Sequence, residues 1–433
     1  MIPGMDERTA QRGRSAKADT SLSSLVPSVP SWRTPAVILV CGCLIAMIGF
    51  GARSGLGFFL TPMSSAHGWG RDVFALALAI QMLLWGAAQP LAGAVADRYG
   101  PASVLSIGAV LYALGLASMA YAATPGMLHL TAGAVIGFGL AGSSFTIVIG
   151  AFGKLMPPQW RSLAFGAGTA AGSFGQFLFS PLAVALIDRV GWQDTLVIFA
   201  AVVLLIMPLS LALASRRQAG APAAGGDREQ QSVVQALSEA LGHKSYVLLV
   251  LGFFTCGFQI FFIAVHLPAY LVDRGLPSGV GGWTLASIGL FNIVGAITAG
   301  WLAEFMPKRY ILSLIYLGRA AAILVYILLP PSTVATLVFG AVMGLLWLST
   351  VPPTSGLVAV MFGTRWLAML FGFAFFSHQV GGFLGVWLGG LVFERTGSYD
   401  AVWWLSILFG VLSAIINLPI VEKPVERLAA QPA

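Results

Sequence analysis

The residues that could do chemistry in this chain are few, because almost no titratable side chains fall inside its apolar runs. Arg53 is the first. It lies in residues 48–63, IGFGARSGLGFFLTPM, an apolar stretch rich in glycine. If the run that starts near residue 35 is one helix ending near residue 60, Arg53 sits roughly 10 Å below its end, at about 1.5 Å rise per residue. An arginine facing lipid at that depth costs at least ~2.5 kcal/mol. It is therefore expected to face protein or a watery cavity, with Gly49, Gly51, Gly55 and Gly57 leaving room for another body. All 16 acidic residues fall outside the expected membrane cores, so no buried carboxylate of the chain is available to Arg53. A buried unpaired charge is costly, and a substrate anion would supply the partner, held bidentately by the guanidinium.

His378, followed by Gln379 and then by Gly381 and Gly382, is the next candidate. Histidine titrates near neutral pH unaided, so with no buried acid His378 is expected to carry a coupling proton or to touch substrate. His266 is the second proton candidate. Asn292, Gln81 and Gln176 are mid-run polar groups suited equally to gluing helices and to touching substrate, with Asn292 counted among the substrate contacts. Nothing resembles an enzyme: there is no paired carboxylate, no metal-ligand spacing, and no nucleophile with its base. The three cysteines all lie in apolar runs and suggest neither a disulfide framework nor a metal site. No cofactor is expected.

These residues must be held by membrane helices. The chain is 58% hydrophobic and 9% charged, with mean hydropathy +0.87, against about 25% charge in an ordinary soluble domain. Apolar runs of spanning length recur from end to end, and in lipid such segments close their own hydrogen bonds as helices. The expected fold is an all-α polytopic membrane protein. Twelve spans are placed at about 35–60, 72–96, 101–123, 126–150, 162–187, 192–214, 246–272, 281–305, 309–329, 333–357, 366–393 and 399–421. Residues 1–34 read as a disordered tail without the pattern of a signal peptide. Residues 35–214 and 246–421 form two six-helix bundles, 215–245 a polar linker, and 422–433 a short tail.

The net charge of +7 does not point to nucleic acid, because its distribution follows topology. With the N-terminus inside, 17 of the 23 lysines and arginines fall in inner segments. Only Arg71, Arg189, Arg274 and Arg395 fall outside, and Arg53 and Arg319 lie within spans. This bias places both termini and the linker in the cytoplasm, with the protein in a plasma (bacterial inner) membrane. The halves also repeat. A shift of 206 carries Asp188-Arg189-Val190-Gly191 and Asp194 onto Glu394-Arg395-Thr396-Gly397 and Asp400. The same shift carries Phe165-Gly166 onto Phe371-Gly372, Gly51 onto Gly257 and Pro62 onto Pro268. A duplicated six-helix unit explains one offset holding across the chain, and such repeats place a substrate site at their interface.

Twelve spans in a 6+6 duplication, with the turn Gly93-Ala-Val-Ala-Asp97-Arg98-Tyr-Gly100 after the second span, resemble the major facilitator superfamily. Gly300-Trp-Leu-Ala-Glu304 is a degenerate copy of that turn. Arg53-Ser-Gly-Leu-Gly-Phe-Phe-Leu-Thr-Pro-Met with Gly68-Trp69-Gly70-Arg71 is similar to the bacterial monocarboxylate-transporter-like branch. The eighth-helix arginine usual there is absent, Asn292 and Ala296 standing in its place. The resemblance implies that the first and seventh helices line a central cavity. Arg53 and its repeat mate Gln259 would then face each other across it, with Gln259 adding a hydrogen bond to the substrate. It also implies a cytoplasmic gate in which Gly93, Asp97, Arg98 and Gly100 meet the start of the eleventh helix beside Arg365, and it makes Arg319, on a peripheral ninth helix, a structural contact. The expected function is alternating-access secondary transport of a small organic anion, a monocarboxylate, by symport with protons, as a monomer in a lipid bilayer. An exporter of amphipathic compounds and a transporter-like membrane sensor are the rival expectations.

Overall fold

In the computed structural model the described residues are 32–214, 232–363 and 366–425, and every regular element among them is helical. Twelve helices are long and apolar enough to cross a membrane. Spans 1–6 are Pro35–His67, Arg71–Ala96, Pro101–Ala120, Pro125–Leu155, Pro158–Val190 and Trp192–Leu213. Spans 7–12 are Lys244–Asp273, Ser278–Phe305, Lys308–Leu328, Thr333–Phe362, Met369–Thr396 and Asp400–Asn417. The segment expected to be a polar linker contains a short helix, Val233–Gly242. It opens on a reciprocal capping box between Ser232 and Gln235, a pairing that satisfies two otherwise orphaned backbone donors.

Span 1 is longer than expected and is not one continuous α-helix. Its first piece, Pro35–Ser54, ends at Gly55. A tighter turn, Leu56–Phe59, follows, and the helix resumes over Leu60–His67. The cause is close packing. At Gly57 a β-carbon would run into the Ala264 carbonyl and the Val265 backbone of span 7, and at Gly51 into Phe179 of span 5. Arg53 therefore occupies the last turn of an α-helical piece, where the helix dipole favours a cation.

Spans 4 and 10 are broken at related places. Span 4 passes through a π-helical turn, His129–Val135, and breaks at Ser143–Ser144 before resuming at Phe145. Span 10 stops at Leu346 and resumes at Val351. The 206-residue shift carries Ser143 and Ser144 onto Ser349 and Thr350, so the duplication extends to the irregularities. Backbone freed inside a membrane needs new partners. In span 4, the Ser143 N–H donates to the Gly139 carbonyl at 2.9 Å, and Gln89 Nε2 fixes the break from span 2 by donating to the Ser144 hydroxyl at 3.0 Å. In span 10, the Leu348 N–H donates to Asn292 Oδ1 at 2.9 Å, and Arg319 takes the carbonyls of Leu346 and Trp347.

The two sets of six spans meet along span 2 with span 11, span 5 with span 8, and the end of span 1 with span 7. Small residues make these approaches possible. Gly86 lies against Gln379, Gly390 against Ala75 and the Arg71 carbonyl, and Gly289 against Ser173 and Phe177.

Candidate functional site

Arg53 is buried, 7% exposed, and no carboxylate pairs with it among the described residues. Its partners are weak. Arg53 Nη2 donates to Met82 Sδ at 2.9 Å, a poor acceptor, and its Nε has no partner. The guanidinium lies 4.5 Å from the ring centroid of Phe261 and 5.6 Å from that of Trp85. These contacts belong to the cation–π range, which is worth about 0.5–2 kcal/mol. Tyr112, fully buried with an unpartnered hydroxyl, is near enough to interact electrostatically with the guanidinium.

Phe261 leads from Arg53 to the second candidate. Its ring centroid is 5.4 Å from that of His378. His378 is further enclosed by Phe253 at 4.9 Å and by the nearly parallel ring of Phe375 at 5.7 Å. Neither ring nitrogen of His378 meets a nitrogen or oxygen partner, and the Cys256 thiol lies close enough to interact with the ring. Phe375 meets Trp85 edge-on at 5.8 Å, closing the ring of aromatics. Trp85 is itself fixed, since its indole N–H donates to Gln89 Oε1 at 3.0 Å. Gln379, fully buried against Gly86, has no partner for either amide atom. Gln81, which lines the small recess beside Arg53, donates to the Ala132 carbonyl at 2.8 Å, and its amide oxygen has no partner. Arg53, His378 and Gln379 thus share one neighbourhood, rich in buried polar atoms that lack partners. Such atoms are rare in folded proteins and each needs an explanation.

The other expected site residues lie elsewhere. Gln259 does not face Arg53. Its Nε2 donates to the Ser406 carbonyl at 2.9 Å, and its Oε1 accepts from Arg319 at 3.5 Å. At 3.6 residues per turn, Gln259 and Phe261 point to opposite sides of span 7, and Arg53 meets the Phe261 side. Asn292 is satisfied on both ends, donating to Ser173 Oγ at 2.9 Å and accepting from Leu348, so it ties spans 5, 8 and 10 together. His266 lies nearer the Arg71 end. Its Nε2 stands 2.8 Å from the Val386 carbonyl and so carries the proton, its Nδ1 is unpartnered, and its ring packs on Phe262 and Tyr399.

Gly100 has φ +93°, a conformation that favours glycine. Arg98 is exposed over the Tyr99 ring, and Gly93 has open surroundings. Arg365 and the side chain of Asp97 lie outside the described residues. Arg319, fully buried, binds the broken end of span 10 and behaves as a helix cap. Arg319→Met is expected to lower the thermal midpoint clearly while leaving ligand affinity within a factor of two or so, because it orphans two buried carbonyls. Melting curves and calorimetry on the same preparation check this, and an equal loss of ligand affinity would count against a capping role.

Residue types alone did not single out Trp85, Met82, Phe261 or Tyr112. One signal was available. Gln81, Trp85 and Gln89 recur every four residues, which aligns them on one face of span 2.

The architecture is that of a polytopic membrane protein built from two related six-helix sets with a buried, unneutralised cation between them. Residues 42–386 match the model of the Major Facilitator Superfamily, and the chain belongs to that family: it is a transporter, not an enzyme. It is 29% identical over 386 residues to the uncharacterised MFS-type transporter YcxA of Bacillus subtilis strain 168, covering 86% of this chain and 91% of that protein. It is 27% identical over 348 residues to human monocarboxylate transporter 11, covering 77% and 71%. Among solved structures it is similar to a bacterial homologue of the human lysosomal transporter Spinster in an inward-facing, unoccupied conformation. That match has a TM-score of 0.73 at 15% identity, over 90% of this chain and 97% of that one. It is also similar to a D-xylose–proton symporter, with a TM-score of 0.67 at 16% identity over 90% and 98%.

Proposed function

We propose that this transporter carries a small monocarboxylate by alternating access together with a proton, with Arg53 as the carboxylate's partner and His378 and Gln379 as further contacts. The observation that carries this reading is Arg53 itself, buried among rings and a thioether with its Nε unused. A carboxylate arriving at its donor edge would replace weak contacts by charge-assisted ones. The relatives named as monocarboxylate transporters support the same reading. Thermal-shift screening of the purified protein against carboxylates and their amides, followed by flux in proteoliposomes, tests it. Stabilisation by amides equal to that by acids would sink the anion assignment, and binding without flux would identify a sensor.

His378 is the proposed proton carrier, since neither ring nitrogen is tied to a carbonyl or carboxylate. His378→Gln is expected to retain counterflow exchange while pH-driven accumulation disappears. An unchanged pH dependence would shift the role to His266, whose Nδ1 is also free, or to the substrate. The lysine and arginine bias supports an orientation with both termini in the cytoplasm. A reporter fused after Ala433 is expected to be active there, and periplasmic activity would reverse the assignment.

A further inference from the structure

We propose that Phe261, seated on Gly382, is the specificity-determining residue that restricts the carboxylate at Arg53 to short aliphatic acids; this rests on the reading of Arg53 as the carboxylate's partner. The ring of Phe261 lies between the two basic side chains, 4.5 Å from the Arg53 guanidinium and 5.4 Å from the His378 ring. It therefore occupies the place where a ligand touching both would sit. The recess beside Arg53, lined by Ser54, Gly57, Leu78 and Gln81 among others and not by Phe261, is too small for a water molecule, so a ligand that also touches His378 enters only if a side chain yields. Three groups stand against Arg53. Trp85 is tied to Gln89 through its indole N–H, and Met82 is turned to the guanidinium by its sulfur. Phe261 has no polar anchor.

What holds the Phe261 ring where it is comes from span 11. A β-carbon on residue 382 would collide with the ring, so glycine there provides the seat on which the ring lies. A displaced ring still takes up room inside the shell, so it opens less than one ring's worth of space. That admits a carboxylate with a short tail, and the aromatic wall of Trp85, Phe253 and Phe375 bounds what remains. Removing the Phe261 ring leaves a hole of aromatic shape between a cation and these rings. An aryl carboxylate would fill that hole, with its acid group on Arg53.

The full-length purified protein is assayed by calorimetry against acetate, propionate and lactate as short acids, and against benzoate and phenylacetate as aryl acids. Wild type is expected to prefer the short acids. Phe261→Ala is expected to shift the preference toward aryl acids by about tenfold or more, the scale on which pocket size discriminates. Phe261→Leu gives a smaller shift in the same direction and serves if the alanine variant melts early. Gly382→Ala forces the ring off its seat and is expected to weaken short acids about tenfold. Adding Phe261→Leu to it should restore them, which mere packing damage would not. An unchanged ratio of short to aryl acids in folded Phe261 variants overturns the proposal while leaving Arg53 in place. Failure of wild type to bind any carboxylate removes the Arg53 reading and the proposal with it.

Discussion

Arg53→Gln is expected to abolish measurable carboxylate binding while the protein stays folded. A hydrogen bond to a charged group contributes about 1.5–3 kcal/mol, so losing a two-donor contact lowers affinity roughly ten- to a hundredfold or more. Arg53→Lys keeps the charge but not the planar fork, and it should fall between wild type and glutamine. The sign of the stability change separates a binding arginine from a structural one. Arg53 is held by a thioether and two rings, and its buried charge meets no acid among the described residues. Replacing such a charge with a well-packed apolar side chain is often neutral or stabilising. Arg53→Met is therefore expected to melt at or above the wild-type temperature and to bind no carboxylate. Arg319→Met, which strips the cap from span 10, should do the reverse. Calorimetry and thermal melting of the variants side by side decide it. A marked fall in melting temperature for Arg53→Met with carboxylate affinity intact would make Arg53 a structural residue and remove the main support for an anionic substrate.

What was legible in the sequence were the features set by hydropathy and by repetition. Twelve spans followed from apolar runs, and the duplication from one offset shared by motifs such as Asp188–Gly191 and Glu394–Gly397. The burial of Arg53 without an acid followed from the positions of the acids. The direction a side chain takes around its helix was not legible. Gln259 is the repeat mate of Arg53, yet its amide turns to Ser406 and Arg319, because two residues of α-helix separate it by more than half a turn from the face that Arg53 meets. The break in span 1 was hidden for a similar reason. Gly55 and Gly57 read as space for a neighbour, and only the approach of Ala264 and Val265 shows that the backbone itself must tighten there. The aromatic shell was hidden by abundance, since with 28 phenylalanines no single one stands out until its neighbours are placed.

Breaking the contacts of Arg71 is expected to open the end of the molecule at which they cross from one half to the other. Arg71 begins span 2, and its side chain reaches into the other half. Nη1 and Nη2 donate to the two carboxylate oxygens of Asp273, at 2.5 and 2.7 Å. Nη1 also donates to the Tyr399 hydroxyl at 3.0 Å, and the guanidinium lies 3.9 Å from the Phe393 ring centroid. The Arg71 backbone N–H donates to Glu394 Oε1 at 2.6 Å. One residue thereby ties the start of span 2 to the ends of spans 7 and 11 and the start of span 12. An isolated exposed ion pair contributes little. This one is bidentate, backed by an aromatic ring, and 14% exposed on the arginine side, so a contribution of about 1–3 kcal/mol to the closed end is reasonable. Each 1.4 kcal/mol is a factor of ten in an equilibrium, enough to move a transporter whose states are nearly balanced. Spin labels at Ser65 and Ser278, both exposed and on opposite halves at this end, report the opening once Cys41, Cys43 and Cys256 are replaced. In otherwise wild-type protein the distance distribution should be short and narrow. Arg71→Gln and Asp273→Asn should each move it toward longer distances, and the double variant should add less than the sum, because both remove the same contact. A distribution unchanged by Arg71→Gln would reduce these contacts to surface decoration and leave closure to the glycine packing of Gly390 and Gly57 alone.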